Sequence, residues 1–141
     1  MLLREIPERE YLKTRAPERD TYSKRPFLEG KLIHYLRRDG RKNKTIAYSD
    51  PQKDAKRAEL SYRYLDSSDH YHLLEIRLHT GRHHQIRAQL ADIGCPIKGD
   101  VKYGFRRSNP DRSIHLHAWK LTFHHPVSNQ EETITAPLPP Q

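Results

Sequence analysis

Apolar and polar positions alternate most clearly in the middle of the chain. Ala58, Leu60, Tyr62 and Tyr64 fall on one side, with Glu59, Ser61 and Arg63 between them. A period of two predicts a half-buried strand. Asp66-Ser67-Ser68-Asp69 reads as a polar turn and Tyr71–Leu78 as the next strand, with His72, Leu74, Ile76 and Leu78 sharing a face. Two strands joined by a short turn predict an antiparallel hairpin. At Thr80 the period changes. Ile86, Leu90 and Ile93 recur at helical spacing, Thr80 or a neighbour is expected to cap the start, and Gly94 to stop the helix in a left-handed conformation. Ala88 and Ala91 are small enough to admit a close neighbour.

The flanks are less regular. Leu32, Ile33, Tyr35 and Leu36 fit a helical turn or a short strand, and pattern alone does not choose. A basic, glycine-containing turn is expected over Arg37–Lys44, then a strand over Thr45–Tyr48 that ends at Ser49-Asp50-Pro51. Downstream, Asn109-Pro110-Asp111 marks a turn, and Leu116–Phe123 is expected to be a strand with His117, Trp119, Leu121 and Phe123 on one face. Pro126 ends it, and Thr133–Ala136 is a short final strand. Residues 1–29 carry dense mixed charge, three prolines and few apolar residues, so they are expected to form a lead-in arm, partly disordered. The fold class expected for residues 30–141 is α+β: a mixed, largely antiparallel sheet with few helices.

Composition sharpens this picture. At 141 residues one domain is expected, yet only 34% of residues are apolar while 31% are charged. The core should be thin, or completed by something outside this sequence. A formal charge of +8 favours a polyanionic partner, nucleic acid before an anionic membrane surface, although a merely soluble basic surface accounts for charge equally well. The single cysteine, Cys95, excludes an intramolecular disulfide and suits a reducing compartment. Arg4 and Glu5 follow Met1-Leu2-Leu3 directly, unlike a signal peptide, and no apolar run approaches a membrane span. A cytoplasmic location is expected.

The candidate chemistry lies where the strand meets the helix. Thr80-Gly81-Arg82 puts a guanidinium beside the first free N–H groups of a helix, a geometry that attracts phosphate. Arg87 lies beside the apolar stripe of Ile86 and Leu90, so it is expected to be partly buried and to need an acid or phosphate. No nearby carboxylate obviously supplies it. Either Arg87 pairs with Asp92 or solvent, or it reaches into a pocket holding a carboxylate or nucleotide. His83-His84, His115-x-His117 and His124-His125, with His70 and His72, raise the question of metal. No His-x-x-x-His, cysteine pair or compact acidic cluster supports one. No nucleophile elbow supports a hydrolase, and Cys95 reads as a small buried residue. Tyrosines interleaved with basic residues suit base stacking, but alternating strand tyrosines suit a core equally.

The run HTGRHHQIRAQLADIGCPIKGDVKYG resembles the C-terminal signature of the RluA-type pseudouridine synthases: TGR-x-HQ-[IL]-R, a hydrophobic helix, then G-x-P-I-x-GD-x-x-YG. GKLIHYLRRDGRKNKTIAY before it, and Leu116-His117-Ala118 with His125-Pro126 after it, are similar to flanking family segments, so the resemblance spans roughly residues 30 to 137. It implies part of a pseudouridine synthase catalytic domain, an isomerase acting on uridine in rRNA or tRNA without cofactor or metal. In such enzymes uracil is detached from ribose, rotated and rejoined through carbon. An essential aspartate pairs with an arginine that by position is Arg87. Arg82, His84, Gln85 and Tyr103, with Arg37, Arg38, Arg41 and Lys42, are the residues expected to contact RNA or substrate.

One part of the pattern is absent. The family's aspartate belongs to an R-L-D-x-x-T-S-G motif upstream of TGR, and this sequence contains no such motif. Arg38-Asp39-Gly40 is not followed by Thr-Ser-Gly, and the family's active-site tyrosine has no secure counterpart, Tyr11 and Tyr22 both fitting poorly. The resemblance therefore implies an active-site wall without its nucleophile, inactive alone, that self-associates or pairs with a missing N-terminal half. The alternative is an inactive basic RNA-binding or assembly module.

Overall fold

The computed structural model describes residues 12–15, 29–67 and 71–137. The backbone of Leu12–Arg15 forms β1, inside the segment expected to be a lead-in arm, because it adds to the edge of the sheet. The remaining strands are β2 (Glu29–Asp39), β3 (Lys44–Tyr48), β4 (Lys56–Ser67), β5 (Tyr71–Leu78), β6 (Lys120–His124) and β7 (Glu131–Thr135). The helix α1 spans Gln85–Asp92, and a 3-10 turn spans Val101–Tyr103. Five strands make one sheet in the order β1-β5-β4-β2-β3, every pair antiparallel, and β6 with β7 makes a separate hairpin.

The ambiguous stretch over residues 31–36 is strand. Leu32, His34 and Leu36 point toward α1, and the polar His34 obscured that alternation because it is itself buried. It accepts a hydrogen bond at Nδ1 from Gln89 Nε2 (2.8 Å), and its Nε2 lies 2.9 Å from Asp92 Oδ2. Two helix residues are thereby pinned to β2. The expected turn at Arg37–Lys44 is shorter than the sequence suggested: β2 continues through Asp39, and Asn43 closes the turn with φ 45°. The expected polar turn after β4 also begins later, since the strand reaches Ser67 after a register shift between Tyr64 and Asp66; residues 68–70 lie outside the described residues.

One face of the sheet carries the core. Leu60, Tyr62, Leu74 and Ile76 pack against Ile86, Leu90 and Ile97; Leu36 and Ala58 pack against Ala88 and Tyr103. Each fully buried aliphatic contributes about 1.5–3 kcal/mol. An eight-residue helix is marginal alone, so this packing holds α1 in place. Gly94, at φ 82°, ends the helix as expected. Thr80 does not cap it: the residue before the helix is His84, and the Thr80 hydroxyl accepts from Glu59 N (2.9 Å). The strand expected from Leu116 begins only at Lys120.

Candidate functional site

The turn from β5 into α1 is fixed by Gln85. Its side-chain carbonyl accepts from Thr80 Oγ1 (2.8 Å) and Arg82 N (3.0 Å), while its Nε2 donates to Glu59 O (3.0 Å). Gln85 was expected to contact substrate; it is buried, and these internal bonds occupy its amide. Arg82 remains exposed, and its Nε donates to Arg57 O (3.2 Å). At the turn expected to attract phosphate, Gln85 takes the Arg82 main-chain N–H while the Arg82 side chain stays exposed. Among the junction's histidines, His79 turns away to Ser61 (2.7 Å), leaving His83 and His84 at the site.

Arg87 meets Asp100 side-on, Nε donating to Oδ2 (2.9 Å) and Nη2 to Oδ1 (2.8 Å). The Asp100 side chain is 1% exposed and that of Arg87 21%. No carboxylate near Arg87 in sequence obviously supplied its partner; the structure supplies Asp100. It also removes the Asp92 alternative, since Asp92 is engaged with His34. Asp100 lies thirteen residues downstream and arrives because the loop after Gly94 folds back under the helix. The guanidinium's pKa is pushed up, chiefly by the hydrogen bonds to Asp100. Arg87 also lies over the Tyr103 ring, 4.8 Å from its centroid.

His84 links the other groups. An arginine can only donate, so the 3.2 Å contact between Arg87 Nη1 and His84 Nε2 makes that nitrogen an acceptor. A neutral imidazole then carries its proton on Nδ1 and donates it to Tyr103 Oη (2.7 Å), which also accepts from Thr45 N (2.9 Å). The His83 ring stacks on His84 at 3.8 Å, and Thr45 Oγ1, which donates to His83 O (3.0 Å), accepts from His83 Nδ1 (2.9 Å). Burial, followed by the charges of Arg87, His83 and Lys102, pushes the His84 pKa from 6.5 down to about 4. His83 is lowered by burial and by Arg38, Arg87 and Lys102. Both rings are neutral near pH 7. His84 sits at φ 50° and ψ 29°, a left-handed conformation costing a non-glycine residue roughly 1–2 kcal/mol, which these contacts offset.

The expected basic run separates by face. Arg38 points toward His83, whereas Arg37 points to the opposite face, where its Nη2 donates to Tyr48 Oη (2.6 Å). Arg41 and Lys42 lie exposed in the turn. Sequence reasoning weighed His83 only as a metal ligand and missed Thr45, Lys44 and Lys102. Lys44 Nζ lies 5.4 Å from the Tyr103 ring centroid, and Lys102 Nζ donates to Asn43 O (3.0 Å). Only the position of Lys102 within GD-x-x-YG could have signalled its place. Among the described residues, no group of three or more His, Cys, Asp or Glu is arranged to hold a metal, and no helix is long and apolar enough to cross a membrane.

Comparison with known proteins bears on this arrangement. Residues 4–92 match the family model described as RNA pseudouridylate synthase. An uncharacterized RNA pseudouridine synthase of Chloroflexus aurantiacus is 48% identical over 87 residues, covering 61% of this chain and 28% of that protein. Ribosomal large subunit pseudouridine synthase D of Nitrosomonas europaea is 41% identical over 96 residues, 61% of this chain and 27% of that protein. The chain thus spans under a third of the length of these relatives. The structure of human RNA pseudouridylate synthase domain containing 1 is similar with a TM-score of 0.66 and 22% identity, over 91% of this chain and 53% of that one. The fold agrees at that distance, and by the match over residues 4–92 the chain belongs to the RNA pseudouridylate synthase family.

Proposed function

We propose that this chain supplies one wall of an RNA pseudouridine synthase active site, with Arg87 holding the catalytic carboxylate of a segment this sequence does not contain. The carrying observation is the arginine's donor count. A guanidinium has five N–H groups. Three engage Asp100 and His84, which leaves two. Those two suit a second carboxylate, held ionised and oriented toward the sugar or base of a flipped-out uridine. In the isomerisation the bond from N1 to C1′ breaks, uracil turns, C5 bonds to C1′, and the proton lost from C5 is matched by one gained at N1. Asp100 already offsets the charge of Arg87 and the neutral His84 adds none, so the second carboxylate is held by the two remaining N–H donors rather than by net charge.

The substrate class is structured RNA, rRNA or tRNA, in a cytoplasmic setting. The test is tritium release from RNA carrying 5-³H-uridine. The chain alone should release none. A polypeptide bearing R-L-D-x-x-T-S-G, added in trans, should restore release, and Arg87→Met should abolish that restoration. Release by the chain alone would overturn the proposal and turn attention to Asp39. A second reading, an inactive basic RNA-binding module, is favoured by the exposed cations of the β2–β3 turn. RNA binding without restored release would support it.

A further inference from the structure

Three cations gather around a single residue, Asn43, beside the Tyr103 ring. Arg38 Nη2 donates to its side-chain oxygen (3.3 Å), and Lys102 Nζ donates to its main-chain oxygen (3.0 Å). Lys44, the next residue, reaches over the Tyr103 ring. Among the described residues no carboxylate forms an ion pair with any of the three, although Lys31, Arg57 and Arg63 on the opposite face all have one. Asn43 adopts φ 45°, which fixes the turn that brings the cations together. Asp39 lies opposite Lys44 in the β2–β3 register, but its Oδ1 accepts from Arg41 N (3.0 Å) and it forms no ion pair with the three. Like charges gathered without a paired acid repel one another, and an anion relieves that repulsion.

We propose that Arg38, Lys44 and Lys102 form a clamp for one backbone phosphodiester of the RNA, with Asn43 as its positioning residue. The clamp rests on the proposed RNA-modifying role and extends it to a specific subsite beside Arg87. Two ammonium point charges and one planar guanidinium suit a phosphodiester, which has two charged oxygens and no preferred edge. Arg37 does not belong to it, because it points to the other face and is engaged with Tyr48. The lowered pKa of His83, caused by burial and then by Arg38, Arg87 and Lys102, marks the same positive potential. With both histidines neutral, the clamp's charge stays constant across neutral pH.

The experiment is equilibrium binding of a labelled oligouridylate to the full chain across a range of salt. Lys44→Gln and Lys102→Gln should each flatten the slope of log affinity against log salt by about 0.7, the value for one single-strand phosphate contact. Arg37→Gln removes the same charge from the opposite face and should leave the slope as it was. Asn43→Gly keeps the left-handed turn and the net charge; it should weaken binding about 2–10-fold, the cost of one lost hydrogen bond. Equal effects of Arg37→Gln and Lys44→Gln would reduce the clamp to bulk charge and overturn it. So would absence of oligouridylate binding, or lysine-dependent binding to phosphatidylserine vesicles without RNA binding. Because no step depends on isomerisation, a clamp-dependent slope in a chain that restores no tritium release separates the two proposals. Restored release unaffected by both lysine substitutions would sink the clamp alone.

Discussion

Arg87 and Asp100 form a side-on pair in which the acid is sealed from water and the base is not. That asymmetry decides which partner is costlier to lose. Arg87→Met leaves a carboxylate buried at 1% exposure with no counter-charge, and should cost about 3–5 kcal/mol. Asp100→Asn leaves a guanidinium that still reaches solvent, and should cost less. Arg87→Met combined with Asp100→Leu should recover most of the loss, since an apolar pair strands no charge. Urea unfolding of the three variants gives the order directly. A larger loss for Asp100→Asn than for Arg87→Met would contradict the pairing described.

The loop that delivers Asp100 depends on its neighbour. Gly99 has φ 87°, and a β-carbon there would lie 2.5 Å from Asn109 Nδ2 and 2.7 Å from Ser113 O. Those two atoms are themselves hydrogen-bonded at 2.8 Å, so neither moves without cost. Gly99→Ala should therefore destabilise the chain by about 1–3 kcal/mol and weaken any function that needs Arg87 in place. An unchanged urea midpoint in Gly99→Ala would show that the loop relaxes freely.

Cys95 offers a probe of the same region. Burial raises its pKa to about 11, so little thiolate exists at pH 8, and its sulfur faces the interior. Iodoacetamide at pH 8 should leave Cys95 unmodified in the folded chain and label it in urea. Rapid labelling without denaturant would place the residue at the surface.

Much of the fold was legible because alternation survived wherever a strand buries one face. β4 and β5 were read correctly from Ala58, Leu60, Leu74 and Ile76, and Gly94 marked the end of the helix. β2 was ambiguous because a buried histidine holds a core position, and polarity is no guide when Gln89 and Asp92 satisfy the ring. The Arg87–Asp100 pair was missed for a different reason. Physical reasoning demanded an acid, but chain distance is a poor guide to contact once a loop folds back beneath a helix. The same limit hid Lys102, placed beside Asn43 by tertiary packing over 59 positions.

His84 makes the strongest pH prediction. Its proton sits on Nδ1 because Arg87 occupies Nε2, and nitrogen chemical shifts should report that tautomer, with no protonation until pH falls toward about 4. In the unfolded chain the imidazole titrates near 6.5. Between those values the unfolded state binds a proton that the native state refuses, so stability falls as pH drops from about 6.5 toward 4 and is fully present above 6.5. His83 and His72, both lowered chiefly by burial, act with the same sign, so the wild-type slope alone does not isolate His84. His84→Asn does isolate it: asparagine tolerates the left-handed backbone and carries no charge at any of these pH values. The variant should lose stability at pH 7, with a shallower dependence between pH 6.5 and 4 than the wild type. Parallel curves for the two proteins would mean that His84 protonates freely in the folded state, and the hydrogen-bond chain from Arg87 through His84 to Tyr103 would have to be abandoned.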